Sequence, residues 1–237
     1  MVALRGGVVL PLVLSAGLAM TGCSATSETK DATSVTAPRS TSSTGAPSHV
    51  DLARLAKVRN DFPPGFMPAP PSAPRKTRAD EAKEVGNTVS YGRPFTVDPR
   101  QCRALFEPVV GQAGADTMGV GAVGPDQQLI AVSVDDPVVV SAAPPSAGCT
   151  RMSFEVDDDA MITNGVAERL AAPSIDGAAT TALKVTSTGF AYAEYFYAAI
   201  LDGRTFIRVT ARVHPDFQAE PVLADLLVNG VAAVSGR

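Results

Sequence analysis

The chain has 237 residues, and its 24 acidic and 20 basic side chains leave a formal net charge of −4. This acidic balance argues against nucleic acid as a partner and against charge-driven adsorption to an anionic lipid surface. The length suits one folded domain once the N-terminal segments described next are set aside.

Residues 1–22 have the pattern of a bacterial lipoprotein signal peptide. Arg5 precedes an uncharged run over 6–21, and the sequence Met-Thr-Gly-Cys over 20–23 places small residues before a cysteine. We expect cleavage before Cys23 and lipidation of its side chain and amine, because two or more acyl chains anchor a protein stably. The alternatives are ordinary secretory cleavage near Cys23 and an uncleaved anchor, although the run is shorter than the roughly 20 residues of a spanning helix.

Residues 23–48 form the predicted tether between the lipidated Cys23 and the domain. Ser, Thr, Ala and Pro dominate 24–48, and no apolar periodicity is present. Such a segment cannot bury enough surface to offset the entropy of ordering it, so we expect it to be disordered. As a coil of this length it reaches about 25–30 Å. The Ser/Thr cluster over 40–44 is either a plain spacer or a site of O-linked sugar.

The folded domain is expected over 49–237 and begins with a short amphipathic helix. Ser48 and Asp51 have the spacing of a capping box, and the apolar residues that follow share one helical face as far as Phe62. The proline-rich stretch over 63–74 ends this helix and continues in an extended or irregular conformation.

A second helix is predicted to begin at Asp98 and Pro99, because aspartate is a favoured N-cap residue and the proline ring fixes φ at a value that suits the first turn. Its buried stripe consists of Cys102, Leu105, Phe106, Val109 and Val110. With Cys23 lipidated, Cys102 and Cys149 remain in an oxidising compartment, where an even number of cysteines pairs. We expect a disulfide that joins this helix to the strands; two buried reduced thiols are the alternative.

The rest of the chain is predicted to be an antiparallel sheet and a terminal helix, which gives an α+β fold. Alternation and turn residues predict strands over 118–123, 128–134, 138–142, 151–156, 166–171 and 182–187. A hairpin over 191–213 follows, with Asp202-Gly203 as a two-residue turn. Pro221 begins the final helix, whose apolar stripe contains Leu223, Leu226, Leu227, Val231 and Val234.

The hairpin contains the candidate ligand residues. A two-residue turn pairs Leu201 with Arg204 and places Phe196, Ile207 and Val209 on the core face. The opposite face then has Tyr195, Tyr197, Arg208 and Arg212 together. Arginine and aromatic side chains bind anionic or sugar-bearing ligands by forked hydrogen bonds and stacking. The alternative is an ordinary sheet face with cross-strand packing.

No motif predicts catalysis, a metal or a cofactor. His49 and His214 are the only histidines in the sequence, and neither has a neighbouring ligand motif. The acidic run over 157–159 lacks the spacing of a calcium loop. A serine nucleophile motif and a glycine-rich phosphate loop are also absent from the sequence. We therefore expect a protein that is not an enzyme, with a hydrolase as the weaker alternative.

From about 49 to 237 the chain resembles a mycobacterial family of envelope lipoproteins that has a domain of unknown function. The resemblance lies in Pro-Pro-Gly-Phe at 63–66, Asp98-Pro99 with Cys102, a second cysteine at Cys149, and a terminal helix with Leu-Leu and Val-Ala-Ala. It implies a lipid anchor and a disulfide, and no catalytic residue. More distantly, the chain resembles the extracellular sensor domain of a mycobacterial serine/threonine kinase, which implies an α+β fold.

These observations predict a lipid-anchored domain on the outer face of the cytoplasmic membrane. Arginine outnumbers lysine, which is typical of GC-rich genomes and indicates an actinobacterial source. The expected partners are the membrane, through the anchor, and an envelope lipid, glycan or protein. The expected function is non-enzymatic binding; a ligand sensor or a lipid or glycan carrier is the alternative.

Overall fold

The computed structural model describes residues 50–141, 147–157 and 163–237. The predicted signal peptide, the lipidation site Cys23, the tether and His49 lie outside these residues, as do Ser48 and most of the acidic run over 157–159.

Antiparallel pairing organises the described strands. They are β1 (Met67–Pro68), β2 (Arg75–Lys76), β3 (Phe95–Asp98), β4 (Val109–Val110), β5 (Asp116–Val123), β6 (Leu129–Asp136), β7 (Val139–Val140), β8 (Arg151–Val156), β9 (Thr163–Arg169), β10 (Ala178–Ser187), β11 (Ala193–Leu201) and β12 (Thr205–Val213). Ten of them form one sheet in the order β1-β5-β6-β12-β11-β10-β9-β8-β3, with β2 paired to β5. The remaining two, β4 and β7, pair with each other.

The described α-helices are α1 (Ala79–Ala82), α2 (Arg103–Phe106) and α3 (Ala219–Ser235). The predicted C-terminal helix is confirmed as α3, which begins two residues before Pro221. All five residues of its predicted apolar stripe are buried. Gly230 lets α3 approach the sheet closely, because a Cβ there would lie 3.3 Å from Val132 and 3.4 Å from Ile207.

The first helical segment of the domain, Leu52–Asn60, is a 3₁₀ helix and not the expected α-helix. Its buried residues are Leu52, Leu55 and Val58, and this spacing of three matches the three residues per turn of a 3₁₀ helix. Asp51 caps the segment, because its side chain accepts a hydrogen bond from the Ala53 N–H at 3.1 Å.

The predicted second helix is also shorter in the structure. A 3₁₀ turn over Arg100–Cys102 leads into α2, which ends at Phe106. Pro108 explains this end, since it lacks an N–H and disfavours helical backbone at the preceding residue. Val109 and Val110 therefore lie in β4, where Val110 is 55% exposed. The placement of these two valines on the helix was wrong.

The two faces of the sheet are covered differently. Helix α3 and the Leu52–Asn60 segment pack on one face, over β5, β6, β11 and β12. On the other face, side chains of the 95–106 region form a second cluster over β8, β9 and β10. The part of this second face that is formed by β5, β6 and the beginning of β11 remains largely uncovered.

The register of the β11–β12 hairpin differs by one residue from the predicted register. The structure pairs Leu201 with Thr205, not with Arg204. Asp202 and Gly203 do form the turn, with φ values of 50° and 67°, and the Arg204 N–H donates to the Leu201 carbonyl at 3.1 Å. The connection is therefore longer than the two residues that the sequence predicts.

Arg204 is the residue that leaves the strand pairing, and its contacts explain why. Its guanidinium donates to the two carboxylate oxygens of Asp136 at 3.0 and 3.3 Å. Its carbonyl accepts the Val138 N–H at 2.8 Å. Both the side chain and the backbone of Arg204 thus bind the β6–β7 connection, so Thr205 becomes the first paired residue of β12.

The structure contains the Cys102–Cys149 disulfide. Both cysteines are buried within the apolar cluster that also includes Leu105, Phe106 and Met152. The bond spans 47 residues of sequence, so it ties the 3₁₀ turn before α2 to the beginning of β8.

We expect Cys102→Ser to lower the free energy of unfolding by about 2–5 kcal/mol, because the bond restricts the unfolded chain and its removal leaves a thiol in the core. Chemical denaturation measures this loss, and peptide mapping without reduction should recover the linked pair. Complete alkylation of both thiols in the native protein would contradict the assignment.

Candidate functional site

The structure separates the four predicted ligand residues into two pairs. Tyr195 and Tyr197 lie on the face that α3 covers, and both are buried in the main core. Arg208 and Arg212 lie on the opposite face, since Arg208 pairs with Ala198 and Arg212 with Glu194. A shift of one residue in register moves every side chain of one strand to the other face of the sheet. The prediction that the four share one face was wrong.

Tyr197 is a core residue. Its side chain is fully buried, and its hydroxyl has no hydrogen-bond partner within the described residues. Burial raises the pKa of Tyr197 to about 12, and the nearby Glu220 and Tyr195 add to this effect. Neither tyrosine has the accessible ring that ligand stacking requires.

We expect Tyr197→Phe to leave the free energy of unfolding at pH 7 unchanged or to raise it, because the variant removes an unpaired buried hydroxyl. In the native protein the raised pKa also means that stability falls as pH rises from about 10 through 12, where the unfolded chain ionises first. The variant should lack this part of the decrease in the free energy of unfolding at alkaline pH. Urea titrations at pH 7 and above pH 10 measure both effects, and a large loss at pH 7 would contradict the unpaired hydroxyl.

The uncovered part of the second face has a floor of small side chains. Thr210 of β12 pairs with Ala131 of β6, which pairs with Gly121 of β5. Arg208 and Arg212 stand on either side of Thr210, four residues apart on one strand and so about 13 Å apart at their Cα atoms. This arrangement leaves room above the floor between two cationic side chains.

A loop before β3 brings Tyr91 over this floor. The Asn87 side chain accepts the N–H groups of Val89 and Ser90 at 3.3 and 2.8 Å, and the Ser90 hydroxyl donates to the Arg93 carbonyl at 2.6 Å. These bonds hold Tyr91 at a φ of 53°, a left-handed conformation that is uncommon for a residue other than glycine. The Tyr91 side chain is nevertheless 62% exposed. The loop therefore presents an aromatic ring at the surface.

Two adjoining cavities meet at Tyr91, Glu194 and Arg212. The arginine cavity, of about 240 Å³, lies above the floor and is lined further by Arg208, Thr210, Ala131, Leu129, Phe196, Glu84 and Asn87, with Ala211. The aromatic cavity, of about 180 Å³, is lined further by Phe190, Tyr192, Val89, Arg93, Val156, Thr163 and Ser187. Because three residues belong to both cavities, we treat them as one candidate site.

Glu194 is the central carboxyl group of this site. It lies across the strand pair from Arg212, and the Tyr91 hydroxyl donates to Oε1 over a long 3.5 Å. Burial raises the pKa of Glu194, while Arg212 and Tyr91 act in the opposite direction. Burial also raises the pKa of Tyr91, and the charge of Glu194 adds to that rise. The site thus disfavours a negative charge on its own carboxyl group.

The two arginines of the site have donors to spare. Arg208 donates through Nε to Ser133 Oγ at 3.0 Å and through Nη1 to the Glu84 carbonyl at 3.3 Å. The Arg212 guanidinium carbon lies 5.9 Å from the centre of the Tyr192 ring. In the described part of the chain, neither arginine forms a salt bridge with a carboxylate. A guanidinium has five N–H donors, so several are available to a ligand.

His214 lies beside the site. Its ring packs against Tyr192 with centroids 5.2 Å apart, and its Nε2 is 3.9 Å from Asp126 Oδ2. Across residues 50–141, 147–157 and 163–237, no group of three or more His, Cys, Asp or Glu residues is arranged to hold a metal ion. Among the same residues, no helix has the length and apolar character needed to cross a bilayer.

Sequence reasoning missed four site residues, namely Tyr91, Phe190, Tyr192 and Glu194. Tyr91 precedes Gly92, and Phe190 follows Gly189, which has a φ of 86°. An aromatic residue next to a glycine in a turn was the available signal, because such turns expose the rings that they contain. The signal is weak, since turn glycines are common throughout this chain.

Comparisons with known proteins identify a family profile and a similar fold but do not indicate a function. The sequence profile described as domain of unknown function DUF5642 matches residues 51–235. An X-ray structure of an uncharacterized protein from Mycobacterium smegmatis, the Rv0999 ortholog, has 22% identity and a TM-score of 0.58. The match covers 79% of this chain and 98% of that chain, and at this identity it shows the fold alone. No curated protein matches this sequence.

Proposed function

Because the chain belongs to the DUF5642 family, whose function is unknown, we propose its role from its own residues. The protein is a lipid-anchored, extracytoplasmic binding protein of the cell envelope. Its domain holds an envelope ligand at the site around Tyr91, Glu194 and Arg212 and does not transform it chemically.

Residues 1–23 support the anchor. They combine a positive residue, an apolar run and small residues before Cys23, which is the order that lipoprotein processing requires. The longest described helix, α3, directs its apolar stripe into the core and so is not a membrane-binding amphipathic helix. Membrane attachment therefore depends on Cys23 in this proposal.

The junction of the two cavities is the observation that supports the binding function. Small-molecule sites are concave, largely apolar and contain a few convergent polar groups. Here Phe190, Tyr192 and Leu129 supply apolar walls, and the two arginines with Glu194 supply the polar groups. Together the two cavities come to about 420 Å³, which lies in the lower part of the range of about 300–1,000 Å³ that is usual for ligand sites.

A lipid carrier is the second candidate, and one feature favours it. An apolar cavity of about 160 Å³ lies between α2 and the sheet, lined by Leu105, Pro108, Val140, Ile200 and neighbouring residues. A cavity of about 150 Å³ accommodates a molecule such as benzene. This volume holds a few carbon atoms and not a complete acyl chain, so binding at the larger site is the better supported function.

We expect Cys23→Ala protein to leave the membrane fraction, because no covalent lipid then holds it there. Fractionation of expressing cells, followed by a high-salt wash, measures the distribution. Ser24→Ala is the matched control and should remain membrane-bound. Retention of the Cys23→Ala protein in washed membranes would contradict the proposed anchor.

We expect the native protein to copurify with an envelope compound that mass spectrometry detects, and we expect Tyr91→Ala with Phe190→Ala to reduce its recovery. Both side chains are more than half exposed, so the fold should change in stability by no more than about 0.5 kcal/mol each. Val228→Ala, which changes an exposed residue of α3 on the opposite side of the sheet, is the control. Equal recovery from all these proteins would exclude this site as the binding site.

A further inference from the structure

We propose that the site binds an acidic sugar, with the acidic group on Arg208 and Arg212 and the sugar ring against Tyr91 and Phe190. This inference rests on the proposed binding function and specifies the class of ligand. The acidic group is a carboxylate or a phosphate, since both present the oxygen pairs that a guanidinium binds in a forked manner.

The hydrogen bonds of the arginines supply the first argument. Arg208 donates to two neutral acceptors, Ser133 Oγ and the Glu84 carbonyl, which orient its guanidinium without neutralising it. Arg212 packs near Tyr192 and forms no salt bridge within the described residues. Arg208 and Arg212 place two positive charges at one cavity, and neither forms a salt bridge among the described residues, although Glu194 attracts Arg212 and Asp135 attracts Arg208. Their remaining N–H donors form a site for an anion.

The carboxyl groups of the same cavity do not cancel this charge. The Glu84 side chain is exposed, where solvent screens its charge. Glu194 is half-buried beside Arg212, and its burial opposes ionisation. An acidic ligand at Arg212 would raise the pKa of Glu194 further.

The aromatic cavity supplies the second argument. Phe190 is 57% exposed and Tyr91 is 62% exposed, although large aromatic side chains are usually well buried. An exposed ring face is apolar and accepts the C–H face of a sugar ring, while the Tyr91 hydroxyl, which donates to Glu194, can still accept a hydrogen bond. The small side chains of Thr210 and Ala131 leave room for the acidic group between the two arginines.

The test measures binding of defined sugars to the detergent-solubilised, lipidated full-length protein by saturation-transfer NMR. The probes are glucuronic acid, glucose 6-phosphate and glucose, each titrated to about 20 mM so that millimolar dissociation constants are detected. We expect both acids to bind at least about tenfold more tightly than glucose, the effect of one charge-assisted contact.

The arginine variants locate the binding. Arg212→Ala and Arg208→Ala should each weaken the binding of both acids about tenfold. Arg212→Lys and Arg208→Lys should weaken it less, because lysine keeps the positive charge but cannot form the forked pair of hydrogen bonds. Arg59→Ala, which changes an exposed arginine of the first helical segment, is the matched control and should have no effect. The lysine variants also preserve the charge if an alanine variant proves unstable.

Vesicles distinguish a free glycan from a lipid headgroup as the source of the acidic sugar. A headgroup is supported if the protein co-sediments with phosphatidylinositol vesicles and not with phosphatidylcholine vesicles, and if this co-sedimentation requires both arginines. Binding of the soluble acids alone supports a glycan.

Equal affinity for glucose and the acids, unchanged affinity in the arginine variants, or no binding of any probe would overturn the proposal. A neutral compound that copurifies through Tyr91 and Phe190 would overturn it while leaving the binding function intact.

Discussion

The register of the β11–β12 hairpin decides which side chains each face of the sheet presents. Arg204 leaves the strand pairing to bind Asp136, and Thr205 is the partner of Leu201. Compared with a two-residue turn, this register leaves the residues of β12 on their expected faces and moves the residues of β11 to the opposite faces. The core beneath α3 therefore receives Ile207, Val209 and two tyrosines, and the uncovered face receives the arginines. The ion pair is partly exposed and contributes little stability, so burial of the apolar side chains supplies most of the preference for this register.

This arrangement divides the sheet into a face packed beneath α3 and a face that contains the candidate site. On the first, α3 approaches within contact of Val132 and Ile207 through Gly230, and it buries the unpaired hydroxyl of Tyr197 at some cost. On the second, one cluster packs around the disulfide over β8 to β10, and a smaller cluster packs over the ends of β11 and β12 near the hairpin turn. The stability supplied by these packed regions permits the rest of this face to have small side chains, exposed rings and arginines that form no salt bridge among the described residues.

Much of this fold follows from periodicity, and the site does not. The strand over 151–156 and the stripe of α3 are evident because alternation and the helical repeat extend over many residues. The second helix ends early at Pro108, and the hairpin register depends on burial against distant strands, with Arg204 bound to a residue 68 positions away. Tyr91 and Glu194 meet across 103 residues of sequence. Local patterns contain no information on such distances, so only Arg208 and Arg212 of the candidate site were found.

The cavity that contains Val50, Asp202 and Thr205 shows where the chain enters the domain. That point lies at the hairpin turn, whereas Arg212 and Glu194 lie at the other end of the same two strands, about 23 Å away along β12. The Asp51 N–H bonds to the Val234 carbonyl, so tension on the incoming chain passes into α3 and the core. Tyr91 and its loop are outside that path. In the proposed lipid-anchored protein, a force at the attachment would therefore enter the domain away from the candidate site.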